Sequence, residues 1–351
     1  MKNSIIRILA VLLFSIPFLS CEADDPITPA PNVCDNAQIY SLSTSDPYTG
    51  LTNLNSNGAD ETLAWAATGN VVPGGLGVAI SNSSTSTYNY DNESYHYYNY
   101  HSMEFININS NATFNNVVLT GDVINWKYNG ITYISALGNY YIIGVNVTGT
   151  PFATGTVGLF EVLNINTGSV NPSPTMTISS YTVTSGMEVL FLQLLSVATD
   201  HNDMVYVVSG NDIFSFDLTS GTSFYTTPLP GAIYEYYGLE YNDTIGKLNA
   251  IQYSYSGPSL FIVEIDPISL LISSTSANLN NFIPTFVPDY YSTTLSCDEN
   301  TYFISTRSAN IDTDFYTVDI SFGVSPLAAA NITNSTITGN YYFGLESNGN
   351  N

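Results

Sequence analysis

Residues 341–347 read Tyr-Tyr-Phe-Gly-Leu-Glu-Ser and closely match residues 236–241, Tyr-Tyr-Gly-Leu-Glu-Tyr. The earlier copy is followed by further strand-like segments, whereas the chain ends soon after the later copy. Near the N-terminus, residues 39–50 have the pattern of an outer strand with no inner strand before it. Because each part supplies what the other lacks, we predict that the two ends pair in one sheet and close a ring. Such closure removes exposed sheet edges.

The chain between these ends repeats one pattern, an alternating apolar strand followed by Asp or Asn and a turn that usually closes with Gly. Successive copies are 61, 57, 53, 49 and 53 residues apart. Periods of this length are typical of solenoids, propellers and arrays. We predict that the repeated polar residue forms the turn by accepting hydrogen bonds from nearby backbone. The six positions are Asp46, Asn107, Asn164, Asp217, Asp266 and Asp319.

Two more strand-like segments precede most copies of this pattern. In one repeat they are 237–241 and 248–253, separated by a turn, and in the repeat before it they are 192–198 and 204–208. With the strand after each turn, every repeat holds four antiparallel strands, which is the composition of a β-propeller blade. We therefore predict an all-β protein in which residues 36–351 form six four-stranded blades.

Two alternatives to this architecture remain. The 61-residue spacing leaves room for a seventh blade. A row of immunoglobulin-like sandwiches would also give many short strands, but the match between the two ends argues against it. The repeats resemble the NHL or YVTN blade repeats of bacterial propellers over most of residues 36–351. That resemblance implies a fold and no single function, because propellers serve many functions.

The first residues have the features of a secretory signal. Lys2 and Arg7 precede a short apolar stretch that is too short to span a bilayer. The segment Phe18-Leu19-Ser20-Cys21 resembles the lipobox of bacterial lipoproteins, and residues 22–25, Glu-Ala-Asp-Asp, resemble the export signal of Bacteroidetes-type surface lipoproteins. The resemblance implies that residues 1–20 are removed and that Cys21 carries the lipid, including palmitate.

An outer-membrane lipoprotein follows from this resemblance, exposed at the cell surface or, alternatively, facing the periplasm. Residues 21–35 would be its tether, since a segment with three prolines extends as a semi-rigid spacer. An uncleaved anchor, or a secreted protein with a chance cysteine, is the alternative. Cys34 and Cys297 are the other cysteines, and we predict that they form a disulfide, with two buried free thiols as the alternative.

The charge balance limits the partners. After residue 20 the only cations are Lys127, Lys247 and Arg307, against all 29 Asp and Glu residues. This excludes nucleic acid, which needs clustered Lys and Arg, and disfavours an anionic membrane surface. A neutral glycan or a protein is the better ligand. The sequence gives no indication of the oligomeric state.

Catalytic signatures are scarce in this sequence. It contains no HExxH, CxxC, GxSxG, P-loop or EF-hand motif. Residues 200–203, 242–243 and 298–300 are rich in Asp, Asn and Glu, and their recurrence at one turn of the repeat indicates hairpins on the face opposite the binding site. His96 and His101 could in principle hold a metal, but exposed polar positions are the simpler interpretation. We therefore expect a binding protein more than an enzyme.

Tyrosine pairs recur at the start of the predicted inner strands. We predict that they surround one mouth of the central channel of the propeller and bind a ligand there. The tyrosine ring stacks on sugars, and its ring and hydroxyl contact extended peptides. The alternative is that the pairs pack between blades. The residues are Tyr236, Tyr237, Tyr290, Tyr291, Tyr341 and Tyr342.

Glu240 and Glu346 occupy matching positions in the two related segments. Carboxylates on innermost strands could point into the channel and hold Ca²⁺, the one cofactor that we consider. In outline this resembles six-bladed lactonase-like enzymes, which implies a calcium-dependent hydrolase or lyase as the second hypothesis. A structural or adhesive surface protein is the third.

Overall fold

The chain divides into residues 1–35 and residues 36–351. A computed structural model describes residues 38–43, 50–54, 61–66, 86–100, 103–109, 114–146, 154–184, 188–227, 234–254, 256–257, 259–288, 290–307, 312–338 and 342–347. The predicted signal peptide, the tether, Cys21 and Cys34 lie outside these residues, as do His101 and Tyr341.

Twenty-five strands form six antiparallel sheets in the described residues. Blade 1 contains β1 (Ile39–Ser43), β2 (Gly50–Leu54), β3 (Glu61–Ala66) and β25 (Tyr342–Ser347). Blade 2 contains β4 (Ser86–Asn89), β5 (Ser94–Asn99), β6 (Glu104–Asn109) and β7 (Phe114–Val118). Blade 3 contains β8 (Trp126–Ile134), β9 (Asn139–Asn146), β10 (Thr154–Asn164), β11 (Ser169–Val170) and β12 (Met176–Thr184).

The second half of the ring is more regular. Blade 4 contains β13 (Leu195–Thr199), β14 (Met204–Ser209), β15 (Asp212–Asp217) and β16 (Thr222–Thr226). Blade 5 contains β17 (Tyr234–Asn242), β18 (Lys247–Ser254), β19 (Ser259–Ile265) and β20 (Ile272–Thr275). Blade 6 contains β21 (Tyr291–Leu295), β22 (Thr301–Arg307), β23 (Thr313–Asp319) and β24 (Ile332–Ile337). Helix α1 (Glu188–Gln193) precedes β13, and a 3-10 turn (Ala329–Asn331) precedes β24.

The sheets are arranged as a β-propeller. The innermost strands β25, β4, β8, β13, β17 and β21 contact one another in that order, and β21 contacts β25 again. Five of the sheets each come from one continuous segment, while blade 1 joins both ends of the described chain. Pairing of the ends is therefore present, with Ile39 opposite Ser347 and Tyr40 opposite Glu346. No seventh sheet occurs among the described residues.

Three details of the predicted repeat were wrong. The segment at Ile39 is the second strand of blade 1, directly paired with β25, whereas the other copies of the pattern form third strands. Asn107 lies inside β6, not in a turn, because its side chain is occupied by hydrogen bonds with His96 and the Ile165 carbonyl. Leu192, predicted to begin a strand, belongs to α1.

Four of the predicted turn residues do cap their turns. The side-chain oxygens accept backbone hydrogen bonds two or three residues ahead, at distances of 2.8 to 3.2 Å. These geometries are Asx turns, in which the side chain replaces a backbone acceptor. The residues are Asn164, Asp217, Asp266 and Asp319.

The apolar cores lie between neighbouring blades. Alternate residues of a strand face opposite neighbours, as the two-residue period requires. On β18, Leu248 and Ala250 pack with blade 4, whereas Ile251 packs with blade 6. Further cores join blades 2 and 3, blades 3 and 4, and blades 6 and 1. The fold is therefore held by contacts between sheets.

In the part of the chain that the structure describes, no helix combines the length and the apolar character that crossing a bilayer would require.

A glycine bulge marks the inner strands of blades 1, 3 and 5. Gly344, Gly130 and Gly238 have φ values of 62°, 72° and 59°, which favour glycine. The ladder to the second strand shifts register near the bulge in blades 3 and 5. Each glycine also lies close to the next blade, and a Cβ on Gly344 would overlap the Tyr95 hydroxyl.

We expect Gly344→Ala to destabilise the protein by about 1 to 3 kcal/mol more than Gly246→Ala. Both glycines have nearly the same positive φ, so both variants carry the same backbone cost, but a Cβ on Gly246 meets nothing within 4 Å. The measurement is urea unfolding at equilibrium. Equal losses in the two variants would contradict close contact between blades 1 and 2.

Candidate functional site

A cavity lies at the centre of the ring, at the ends of the inner strands where the chain turns into the second strands. All six inner strands contribute to its lining. The cavity volume is about 70 Å³, which holds on the order of five water molecules. The turns after β4 and β13 contribute Tyr90 and His201 to its rim. The cavity therefore lies at the turn face that the sequence pattern predicted to be opposite the binding site.

Three equivalent positions in blades 1, 3 and 5 line this cavity. Each follows its bulge glycine by two residues, and the side chains are Glu346, Thr132 and Glu240. These blades alternate with blades 2, 4 and 6 around the ring, so the three positions have an approximate threefold arrangement. The structure thus brings together Glu240 and Glu346, the two residues predicted as metal ligands.

Each carboxylate has a hydroxyl neighbour from the next blade. Thr293 donates a hydrogen bond of 2.8 Å to Oε1 of Glu240, and Ser86 hydrogen-bonds to Glu346. The equivalent residue beside Gly130 is Val197, and the side chain lining the cavity there is the uncharged Thr132. A hydroxyl from the next blade therefore accompanies each of the two glutamates, but not the uncharged Thr132.

The environment favours the protonated forms of both acids. Burial raises the pKa of Glu346 to about 8, although the hydrogen bond from Ser86 opposes the shift. Burial and then the negative charge of Glu346 raise the pKa of Glu240 well above its ordinary value. Among the described residues that line the cavity, none is Lys or Arg. Two half-buried carboxylates therefore face one space without a cation.

Aromatic rings form much of the remaining wall. The rings of Tyr88 and Tyr90 meet edge to face with centroids 5.1 Å apart, and Tyr90 meets His201 in the same way at 5.8 Å. The Tyr90 hydroxyl donates to the Ser347 carbonyl at 3.2 Å, from blade 2 to the neighbouring blade 1. Burial lowers the pKa of His201, and its Nδ1 is buried without a hydrogen-bond partner. The wall is thus aromatic and uncharged apart from the two acids.

The predicted tyrosine pairs lie elsewhere. Tyr236, Tyr237, Tyr291 and Tyr342 are 1 to 2% exposed and none of them lines the cavity. They belong to the cores between blades, because the side chains at the start of each inner strand face the neighbouring sheets. Tyr290 is more exposed and lies under Arg307, 5.0 Å from the ring centroid. These positions agree with the packing alternative rather than with a tyrosine-lined mouth.

Other candidate residues have structural surroundings. His96 is only 3% exposed and interacts with Ser94, Asn107 and Tyr140 at 2.7 to 2.8 Å. Burial lowers its pKa to about 4, so it is a neutral part of the blade interior. Cys297 is disulfide-bonded. Its pairing with Cys34 stays a prediction, because Cys34 lies outside the described residues.

Sequence reasoning missed the uncharged members of the site. Thr132 follows Gly130 by two residues, as Glu240 follows Gly238, so the shared glycine and aliphatic residue could have revealed it. Nothing in the pattern identifies Tyr88, Tyr133 or His201. Their place in the cavity depends on how the six inner strands converge, which no single repeat shows.

Comparisons with known proteins show the fold. No protein-family model matches the chain, and no curated protein matches its sequence. The chain is similar to TolB from Acinetobacter baumannii, with a TM-score of 0.54, 11% identity, and coverage of 91% of this chain and 68% of that one. A chain of a nidogen–laminin complex gives a TM-score of 0.50 at 8% identity, covering 89% and 98%. At these identities the similarity supports a β-propeller and nothing finer.

We expect Glu346→Gln to become more stable than the unaltered protein as the pH rises. A carboxyl whose pKa is raised on folding contributes stability below its unfolded pKa of 4.5 and loses it as the pH passes through about 8. Glutamine keeps the neutral form at every pH. The two proteins should therefore unfold alike near pH 4.5, diverge by at most about 1.4 kcal/mol per pH unit up to about pH 8, and keep a constant difference above that pH.

Urea unfolding at pH 5 and pH 8.5 measures this difference. Glu161→Gln is the control, since Glu161 lies on β10 outside the cavity lining. A difference that does not change with pH would contradict the raised pKa of Glu346.

Proposed function

We propose that the protein is a lipid-anchored, extracytoplasmic binding module that takes its ligand in the central cavity. The observation that carries the proposal is the convergence of Glu240, Glu346 and several hydroxyls with aromatic rings in one concave site. Carboxylate oxygens accept hydrogen bonds from ligand hydroxyls, and the rings offer flat apolar surface. The buried tyrosine pairs serve the blade interfaces.

The ligand class follows from charge and size. Lys and Arg do not occur among the described lining residues, so the cavity does not suit an acidic group. A cavity with room for about five waters takes only a small group, such as the end of a glycan or one side chain. The ligand is therefore a single residue or end of a neutral glycan, or a side chain of a protein. A propeller chain from a complex of two proteins, nidogen and laminin, shares the fold and supports the second source.

An enzyme is the second hypothesis. Glu240 and Glu346 would supply part of a Ca²⁺ site in a hydrolase or lyase, but calcium takes six to eight oxygen ligands. Within the described ranges, no group of three or more His, Cys, Asp or Glu residues could hold a metal. Binding by hydrogen bonds needs only the two carboxyls and the hydroxyls that line the cavity, and we favour it for that reason. Calcium dependence is the outcome that would reverse the choice.

We expect a neutral glycan to be retained on a glycan array in the presence of EDTA. Glu240→Gln and Glu346→Gln should each weaken binding about tenfold, because the amide NH₂ group that replaces one carboxyl oxygen cannot accept a hydrogen bond from a ligand hydroxyl. Glu161→Gln, outside the cavity, should bind like the unaltered protein. Binding that requires calcium, or turnover that EDTA abolishes, would favour the enzyme. Equal binding by all variants would place the ligand outside the cavity.

We expect Cys21→Ser to release the protein from the membrane fraction of a bacterial host, because it removes the thiol that receives the lipid. The readouts are incorporation of labelled palmitate and partition between membrane and soluble fractions. Cys297→Ser is the matched control, and its lipid labelling should be unchanged. Labelling that persists in the Cys21 variant would contradict the anchor.

A further inference from the structure

We propose that the central cavity binds a primary ammonium group of a small ligand, with one hydrogen bond each to Glu240, Glu346 and Thr132. This inference rests on the proposed ligand binding and names the chemical class that the cavity prefers. An amino sugar and an alkylamine are two sources of the same group.

The arrangement of the three side chains matches the donor geometry of the group. Glu240, Glu346 and Thr132 occupy equivalent positions on β17, β25 and β8, and all three line the cavity. Their strands alternate with β4, β13 and β21 around the ring. An alkylammonium has three N–H donors, threefold symmetry and no acceptor. Three oxygen-bearing side chains in an approximate threefold arrangement can therefore satisfy all three donors.

Charge favours a cationic ligand over a neutral one. A buried carboxylate is costly unless a partner balances it. The cations of the described chain are elsewhere: Lys247 binds Asp266 at 2.9 Å, Arg307 lies over Tyr290, and Lys127 does not line the cavity. A cationic ligand would therefore favour the ionised forms of Glu240 and Glu346, for which the described chain places no cation nearby.

The aromatic wall distinguishes an organic cation from a metal ion. Tyr88, Tyr90, Tyr133 and Tyr241 line the cavity, and aromatic rings attract an ammonium through their electron-rich faces. These rings offer nothing comparable to Ca²⁺, which requires many oxygen ligands. His201 adds a buried Nδ1 without a hydrogen-bond partner at the same wall. This nitrogen is an additional polar contact for the remainder of the ligand.

Calorimetric titration of the full chain in EDTA tests the inference. The probes are glucosamine against glucose, and Nα-acetyl-lysinamide against its Nζ-acetylated form. In at least one pair we expect the member with the free amine to bind about tenfold or more tightly. The pair with the larger difference identifies the source of the ammonium.

The variants test the three contacts separately. Glu240→Gln and Glu346→Gln should each lower amine affinity at least about tenfold, and Thr132→Val about fivefold, as expected for charged and neutral hydrogen bonds. Thr132→Ser keeps the hydroxyl and should retain the affinity, which separates hydrogen bonding from packing. Glu161→Gln should bind the amines unchanged.

The outcomes separate this inference from the proposed function. Equal affinity within both probe pairs, with binding weakened by Glu240→Gln, would overturn the ammonium inference and leave the binding module. Calcium that binds alone and displaces the amines would also overturn it. Absence of binding by every probe, together with no retained glycan on the array, would overturn both.

Discussion

Hydrogen bonding between β1 and β25 is the interaction on which both the fold and the site depend. It joins the two ends of the described chain in blade 1 and completes the circle of inner strands. An open ring would leave two sheet edges available for pairing with other chains. The same strand that closes the ring carries Gly344, Glu346 and Ser347, so the cavity loses one of its two acids if β25 detaches. Stability and ligand binding therefore share one set of backbone hydrogen bonds.

Alternation between two kinds of blade determines what the cavity contains. Blades 1, 3 and 5 have a glycine bulge on the inner strand, and the described inner strands of blades 2, 4 and 6 contain no glycine. Hydroxyls from the second group accept backbone N–H groups near the bulges: Ser196 accepts from Leu239, Ser292 from Leu345, and Thr87 from Tyr133. These contacts fix the strand beyond each bulge, which is where the cavity side chains are. The turns between the first and second strands alternate in the same way. The residue with positive φ is Glu93, His201 or Glu299 in blades 2, 4 and 6, whereas it is Gly138 or Gly246 in blades 3 and 5.

Much of this architecture could be predicted from the sequence, because the signals are local and repeated. The turn positions at Asp217, Asp266 and Asp319 are capped as the pattern indicates, and Glu240 and Glu346 of the matching segments line the same cavity. The position of the tyrosine pairs could not be derived in this way. A two-residue period shows that Tyr237 faces away from its neighbour in the strand, but it does not show whether that face meets a channel or another blade. The position of the segment at Ile39 was predicted wrongly for a similar reason. The second and third strands of a blade have the same alternation of apolar residues, so the pattern does not distinguish them.

The cavity is a site that the protein maintains against its own stability. Two carboxylates with raised pKa values share a small space, and the chain has only three cations after residue 20. A protein selected for stability alone would place apolar or neutral side chains there, as unpaired buried charges are destabilising. The aromatic cores between blades offset this cost, with Tyr237, Tyr302 and Phe315 among the fully buried side chains. Rigid interfaces around the ring also limit how far the two acids can move apart. Because the protein cannot relieve the repulsion internally, a proton or a ligand must do so, and this makes the occupancy of the cavity sensitive to both.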